Sequence, residues 1–296
     1  MAFRALIFGL LFSSLSVTVV QAAPTARQAE VSSSGVDKAG CGSGENPCRT
    51  LQYAHDDIVA AGGEILIKDS GEYGAIAIRK SIRILNEGAG VATIAKGGGS
   101  NAIVVNAGPT DFVEIRGITL DGLDNGNIGI EGLVFGTLIV RNVVARRFSA
   151  GIFLQTSNNL TFEIYDSQLT DNRYEGLYVN AQNNVQNLSK TRIYGILEND
   201  QFNNNGGNGG TGDGAYVISS LFGLDLTVTN CQFSFNATYG LYIGAAVAGI
   251  LNGNTALNNS SGQDLIVDAE GIAVSFGNNA IYSYIIHGQF STIKLQ

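Results

Sequence analysis

The stretch Glu175-Gly-Leu-Tyr-Val-Asn180, EGLYVN, sets a tyrosine between two aliphatic residues, and its recurrence decides the fold. AGIFLQ begins at Ala150, DGAYVI at Asp213 and YGLYIG at Tyr239, while QDLIVD at Gln263 is a degenerate copy. Aligning on the glycine gives Gly151, Gly176, Gly214 and Gly240, with Asp264 in the fifth place, at steps of 25, 38, 26 and 24 residues. A second row keeps the same rhythm: Gly117, Asn142, Asp166, Asn199, Asn230 and Asn254 each stand three residues before an apolar position, at steps of 25, 24, 33, 31 and 24. Self-similarity at a fixed period is the signature of a repeat architecture.

Within each period the hydrophobic residues alternate, as in VEIRGITL, LIVRNVV, FEIYDSQL and LTVTNCQF. A period of two belongs to strands and not to helices. Short strands joined by Asn, Asp and Gly turns about every 25 residues describe a coil stacked on itself, each turn burying its apolar face against its neighbours. The expected fold is therefore all-β, a single right-handed parallel β-helix solenoid, with handedness taken from the rarity of left-handed parallel crossovers. The Asn142 to Asn254 row is expected to form a ladder of side-chain amides at one turn. Between Gly176 and Gly214 the excess length is assigned largely to the glycine-rich stretch from Asn203 to Gly214.

A terminal coil exposes its core and its strand edges, so a solenoid needs caps. Thr50 can cap an amphipathic helix over Leu51 to Ala61, with Leu51, Ala54, Ile58 and Ala61 on one face. FSTIKLQ at the other end is expected to close the C-terminal side.

The first 22 residues combine Arg4, an apolar run and a small-residue cleavage pattern around Ala22. They read as a secretory signal peptide. The expected organisation is signal peptide 1–22, an N-terminal segment 23–62 with a small loop and the capping helix, and the β-helix over 63–296. The mature chain is expected to be secreted or periplasmic, with no membrane insertion after signal cleavage. In an oxidising compartment Cys41 and Cys48, flanking GSGENP, are expected to close a disulfide, the alternative being two free thiols. Cys231 reads as a small interior hydrophobe.

The formal net charge is −8 and charged residues make up only 14% of the chain. Nucleic acid, whose binding depends on Lys and Arg against phosphate, is excluded as a partner. Gly207 to Gly212 formally matches a dinucleotide fingerprint, but a strand-like AYVI follows where a helix is required. DGLDNG from Asp121 lacks the ligand pattern of a calcium loop. The expectation is therefore no metal and no cofactor.

With its leader region VSSSGVDKAGCGSGENPCRTLQYAHDDIVAAGGEILI and its coil repeats, the chain resembles the pectin-lyase-like β-helix superfamily, in particular bacterial exported β-helix repeat proteins. The resemblance covers nearly the whole mature chain. It implies the fold but not an activity, because lyases, hydrolases, epimerases and non-catalytic proteins share the scaffold. The Gly-His-Gly and Arg-Ile-Lys elements of its polygalacturonase-like branch are missing, and the two histidines, His55 and His287, lie near the chain ends.

Two candidate sites follow. Asp121, Arg146 and Asp171, at steps of 25 and 25, are expected to superpose on three coils with Glu175 close by. Such an arc could serve a polysaccharide lyase or glycoside hydrolase, with Ca2+ entering only under the lyase alternative, but the reading preferred for it is a surface ion-pair ladder at a turn. The second site is the column Phe153, Tyr178, Tyr216 and Tyr242, which alternation turns outward from the strands. An outward aromatic stripe with free ring faces suits stacking against the sugars of a polysaccharide. The leading reading is a polysaccharide-binding protein with no identifiable catalytic set, beside the enzymatic alternative and a structural or adhesive surface protein. The oligomeric state is not legible.

Overall fold

The computed structural model describes residues 23–156, 159–181, 192–207, 211–219, 223–260 and 262–293. The signal peptide expected over residues 1–22 lies outside them. Each coil has three strand segments, and every inter-strand pairing between successive coils is parallel, which makes the chain a parallel β-helix.

The first face is an eleven-stranded sheet running from Ala26–Val31 through Val59–Ile67, Thr137–Arg141 and Leu160–Tyr165 to Gln289–Thr292. The second face is built from three-residue strands such as Gln168–Thr170, Gln201–Asn203 and Gln232–Ser234. The third face carries the EGLYVN repeats, in Leu177–Ala181, Ala215–Ser219, Tyr239–Ile243 and Gln263–Val267. Two long strands, Ile118–Val134 and Val144–Thr156, pass round the corner from the second face to the third and join both into one sheet.

Alternation fills the interior. Ile152, Leu177, Val179, Ala215, Val217 and Ile243 are completely buried. Phe202 and Phe233 stack inside the solenoid at 4.9 Å between ring centres. Gly195 lies in register between Phe162 and Leu226, and a Cβ there would come within 2.3 Å of the Phe162 ring. The Phe162 ring thus requires glycine at position 195, because interiors pack at crystal-like density.

The turn rows correct the expected register. Gly117, Asn142, Asp166, Asn199, Asn230 and Gly253 all have positive φ, between 51° and 74°, and end the first face on successive coils. Asn254 is therefore one residue beyond its row, and Phe233 pairs with Ala256 and not with Leu257. These residues were expected to stack as a ladder, but they turn the backbone through the left-handed region that Gly, Asn and Asp tolerate. Only one amide rung is seen among them, Asn199 Nδ2 to Asp166 Oδ1 at 3.3 Å.

The buried ladder stands elsewhere. Asn172, Asn205, Asn236 and Asn259 link coil to coil, each Nδ2 donating to the next Oδ1 at 2.9–3.1 Å. Each Nδ2 also donates to a backbone carbonyl, those of Ala145, Leu169, Phe202 and Phe233. Both amide ends are thereby satisfied, which buried polar groups require. The residue before each of these asparagines again has positive φ: Asp171, Asn204, Phe235 and Asn258.

The excess length is also redistributed. Thr156 and Leu160 stand in register with Ala181 and Ile193, so the longer insertion lies between the latter two, partly outside the described residues. The glycine-rich stretch takes the smaller share.

At the N-terminal end Thr50 Oγ1 accepts from the Tyr53 N–H at 3.2 Å, as a helix cap should. The helix is shorter than expected: Leu51–Tyr53 passes into a π turn over Ala54–Ile58, and Val59 already begins a strand. Lys80 Nζ donates to the carbonyls of His55 and Val59, tying off the helix before Ala61. Cys41 and Cys48 form the expected disulfide. Their loop hydrogen-bonds to Ala26–Val31 through Glu30, Ser32, Gly42 and Cys48, which covers a sheet edge. Part of segment 23–62 thus belongs to the solenoid's own sheet. At the other end Gln289–Thr292 is the last strand of the first face, and Tyr282, Tyr284 and Ile293 there are exposed; the rest of the expected closing segment, 294–296, lies outside the described residues. No helix among the described residues is long and apolar enough to cross a membrane.

Candidate functional site

Parallel register places Phe153, Tyr178, Tyr216 and Tyr242 opposite one another on four coils. Each is half-buried while its strand neighbours are buried, so the column faces outward as alternation requires. Ring centres are 5.0, 5.5 and 4.3 Å apart with interplanar angles of 4°, 2° and 13°. This geometry alters the expected use of the rings. A coil repeat equals a stacking distance, so each inner ring spends its faces on its neighbours and presents an edge and a hydroxyl to solvent. Tyr242 donates to Asp268 Oδ2 at 2.8 Å, and Asn180 Nδ2 donates to the Tyr178 hydroxyl at 3.3 Å. Burial raises the pKa of Tyr178 and Tyr216; burial and Asp268 together raise that of Tyr242 further. At neutral pH the three tyrosines of the column keep their phenol protons, and Phe153 carries no hydroxyl.

The charged arc is only partly assembled. Asp121 and Arg146 are register partners, with Arg146 Nε to Asp121 Oδ2 at 3.2 Å. Arg147 also turns onto Asp121, Nε to Oδ1 at 2.8 Å. Asp171 pairs in register with Arg147, whose N–H donates to the Asp171 carbonyl; Thr170 is the partner of Arg146. The partner of Arg146 on the next coil is 24 residues on, not 25, so Asp171 stands one residue beyond it. Burial pushes Asp121 up, but the bonds from Arg147 and the Leu123 N–H and the two arginine charges outweigh it, and its carboxyl lies below the usual range. A carboxylate held by two guanidiniums is a poor base. The arrangement is an ion-pair cluster.

Glu175, the fourth candidate, belongs to a different constellation. The Gly176 N–H donates to the Asp213 carbonyl and the Gly151 N–H to the Glu175 carbonyl, so Glu175 and Asp213 occupy one position on successive coils, three residues before Tyr178 and Tyr216. Asp213 is buried and its Oδ1 accepts from the Tyr239 N–H at 3.0 Å. Among the described residues no Lys, Arg or His forms an ion pair with either. Burial, then the charge of Asp213, raises Glu175 to about 7. Burial raises Asp213 to about 6. Two carboxyl groups that titrate near neutrality beside each other can divide proton donation and acceptance between them. Sequence reading reached Glu175 but not Asp213: aligning Gly176 with Gly214 already sets the two acids in one place, and what the alignment does not show is their burial.

A cleft of about 260 Å³ opens beside the charged arc, between Asp124, Arg147, Asp171, Asn172, Arg173 and Gly207. No group of His, Cys, Asp and Glu suited to hold a metal ion occurs among the described residues. Cys231 is buried, its thiol donating to the Thr229 carbonyl at 3.3 Å.

No protein-family model matches the chain, and no curated protein matches it. Among solved structures, pectate lyase Pel9A is similar at 16% identity with a TM-score of 0.51, over 88% of this chain and 79% of that one. The A-module of Azotobacter vinelandii mannuronan C-5 epimerase AlgE4 is similar at 13% identity and TM-score 0.41, over 78% of this chain and 87% of that one. The lacto-N-biosidase GH136 of Eubacterium ramulus is similar at 10% identity and TM-score 0.41, over 90% of this chain and 68% of that one. The fold is the parallel β-helix of pectin-lyase-like proteins.

Proposed function

We propose that the protein is an exported glycan-binding β-helix protein whose polysaccharide ligand lies along the solenoid axis over the third face. The observation that carries this reading is the outward column of phenols at one-coil spacing, with Asn180 and Asp268 at its edge. Stacking within the column fixes the rings, so hydroxyl and amide groups repeat along a line without side-chain entropy to lose on binding. A chain of hydroxyl-bearing sugars is a repeating ligand that meets such a line with hydrogen bonds. A fold shared with pectate lyase Pel9A fits a glycan ligand, and the Cys41–Cys48 disulfide fits an oxidising compartment.

Affinity electrophoresis through gels containing neutral and acidic polysaccharides tests the proposal. The wild type is expected to be retarded by at least one glycan, and a Tyr178→Ala/Tyr242→Ala double variant that keeps its cooperative unfolding is expected to run freely. Free migration of the wild type through the whole panel would reject it.

A second reading, turnover of the bound glycan as a lyase or hydrolase, is favoured by the Glu175–Asp213 pair alone. Under it the retarding glycan is cleaved with an optimum near neutral pH. Asp213→Asn then abolishes cleavage and leaves retardation intact; a wild type that binds without cleaving any glycan removes this reading.

A further inference from the structure

Phe235 is the misfit of the turn row. It has φ of 60° and stands 59% exposed, whereas its equivalents on adjacent coils are Asn204 and Asn258. A bulky residue in the left-handed region is a true outlier, and such strain concentrates where a side chain is needed for contact. Among the described residues its ring stacks on no other aromatic ring, unlike the rings of the tyrosine column, and it is open to solvent.

We propose that Phe235 is a stacking platform for a pyranose ring, and that the glycan runs from it along the row of left-handed residues toward Arg147. This rests on the glycan-binding reading and assigns a contact that the column cannot supply. The setting argues for a sugar and against an apolar protein partner. Phe235 is flanked by the amides of Asn204 and Asn258, then by Asp171 and Arg147, and the last two line the cleft. An isolated aromatic face within a line of hydrogen-bonding groups matches a ring that has one C–H face and a rim of hydroxyls. A protein surface needs a contiguous apolar patch, and the row has none.

The test uses the full chain in the same polysaccharide gels, with Phe235→Asn and Phe235→Tyr beside the wild type and the column double variant. Phe235→Asn installs the residue of the adjacent coils, so its melting temperature is expected to rise by about 2 °C. Its affinity for the retarding glycan is expected to fall at least about threefold, while Phe235→Tyr keeps it. A gain in stability with loss of binding supports the platform. Unchanged retardation of Phe235→Asn overturns it while the column double variant still decides the wider reading. Free migration of the wild type overturns both.

Discussion

Two rows of left-handed residues run along the solenoid five residues apart, and they solve the same backbone problem differently. The row that ends the first face is Gly117, Asn142, Asp166, Asn199, Asn230 and Gly253; the row that ends the second is Arg147, Asp171, Asn204, Phe235 and Asn258. The first contains only residues for which positive φ is cheap. The second admits Arg and Phe. What differs is the next residue: after the first row come Val143, Ser167, Asp200, Cys231 and Asn254, and after the second come Phe148, whose N–H donates to Asn172 Oδ1, and then the laddered Asn172, Asn205, Asn236 and Asn259. A turn fastened by a buried amide ladder tolerates an unfavourable residue at its apex, and that freedom is where function can enter.

Removing a rung should therefore have the largest effect. Asn236 Oδ1 accepts from the Asn205 N–H and Nδ2 at 3.0 Å, and its own Nδ2 donates to the Phe202 carbonyl at 2.8 Å and to Asn259 Oδ1 at 2.9 Å. Asn236→Ala leaves several buried groups unpaired and is expected to cost on the order of 3 kcal/mol, read from urea unfolding. A loss below about 1 kcal/mol would show that the ladder does not hold the second row.

An intermediate effect is expected one residue past the first row. Asp200 is buried and accepts the N–H groups of Ser167 and Glu198 at 2.8 and 3.1 Å; burial nevertheless raises its carboxyl to about 7. A folded pKa above the unfolded one gives stability that is fully present below about pH 4 and is lost as pH rises through 7. Asn254 fills the same position with an amide, accepting from Cys231 N–H at 2.9 Å and donating to the Val228 carbonyl at 2.8 Å. Asp200→Asn is therefore expected to flatten the fall in melting temperature between pH 4 and 8 and to stabilise the protein at pH 8. Glu175 and Asp213 carry the same sign, so part of the fall remains. Parallel wild-type and variant curves would place the titration elsewhere.

The smallest effect concerns the apex itself. Asn142→Ala, at φ of 51°, is expected to lower stability by about 1 kcal/mol, opposite in sign to Phe235→Asn. Equal signs in the two melting curves would end the contrast between the rows.

Much of the architecture was legible. The repeats of EGLYVN gave the third face, the alternation gave its outward column, and Cys41 and Cys48 gave the disulfide. The candidate site was legible only in pieces. Asp121 with Arg146 followed from spacing, but Asp171 fell one residue out because the following coil is one residue shorter and sets Thr170 opposite Arg146. The ladder of Asn172 to Asn259 was missed in a sequence rich in asparagine, although each member lies three residues after an inward apolar position. The pairing of Glu175 with Asp213 stood in the aligned repeats, but the burial that shifts both carboxyls is a property of the folded coil.

The sequence by itself determined that this chain is a stack of coils, since a two-residue alternation repeated at a near-constant period has few ways to bury its apolar side. It also determined which side chains leave the surface, because strand geometry allows only two directions. Tertiary structure decided which of those side chains meet. Coil spacing, set by backbone hydrogen bonds, pressed the tyrosine rings face to face and left Phe235 exposed on its own; a coil one residue shorter than its predecessor separated Asp171 from Arg146. Such contacts depend on register between residues 24 to 38 positions apart, and register is fixed by the ladder and the packed interior, not by any local pattern.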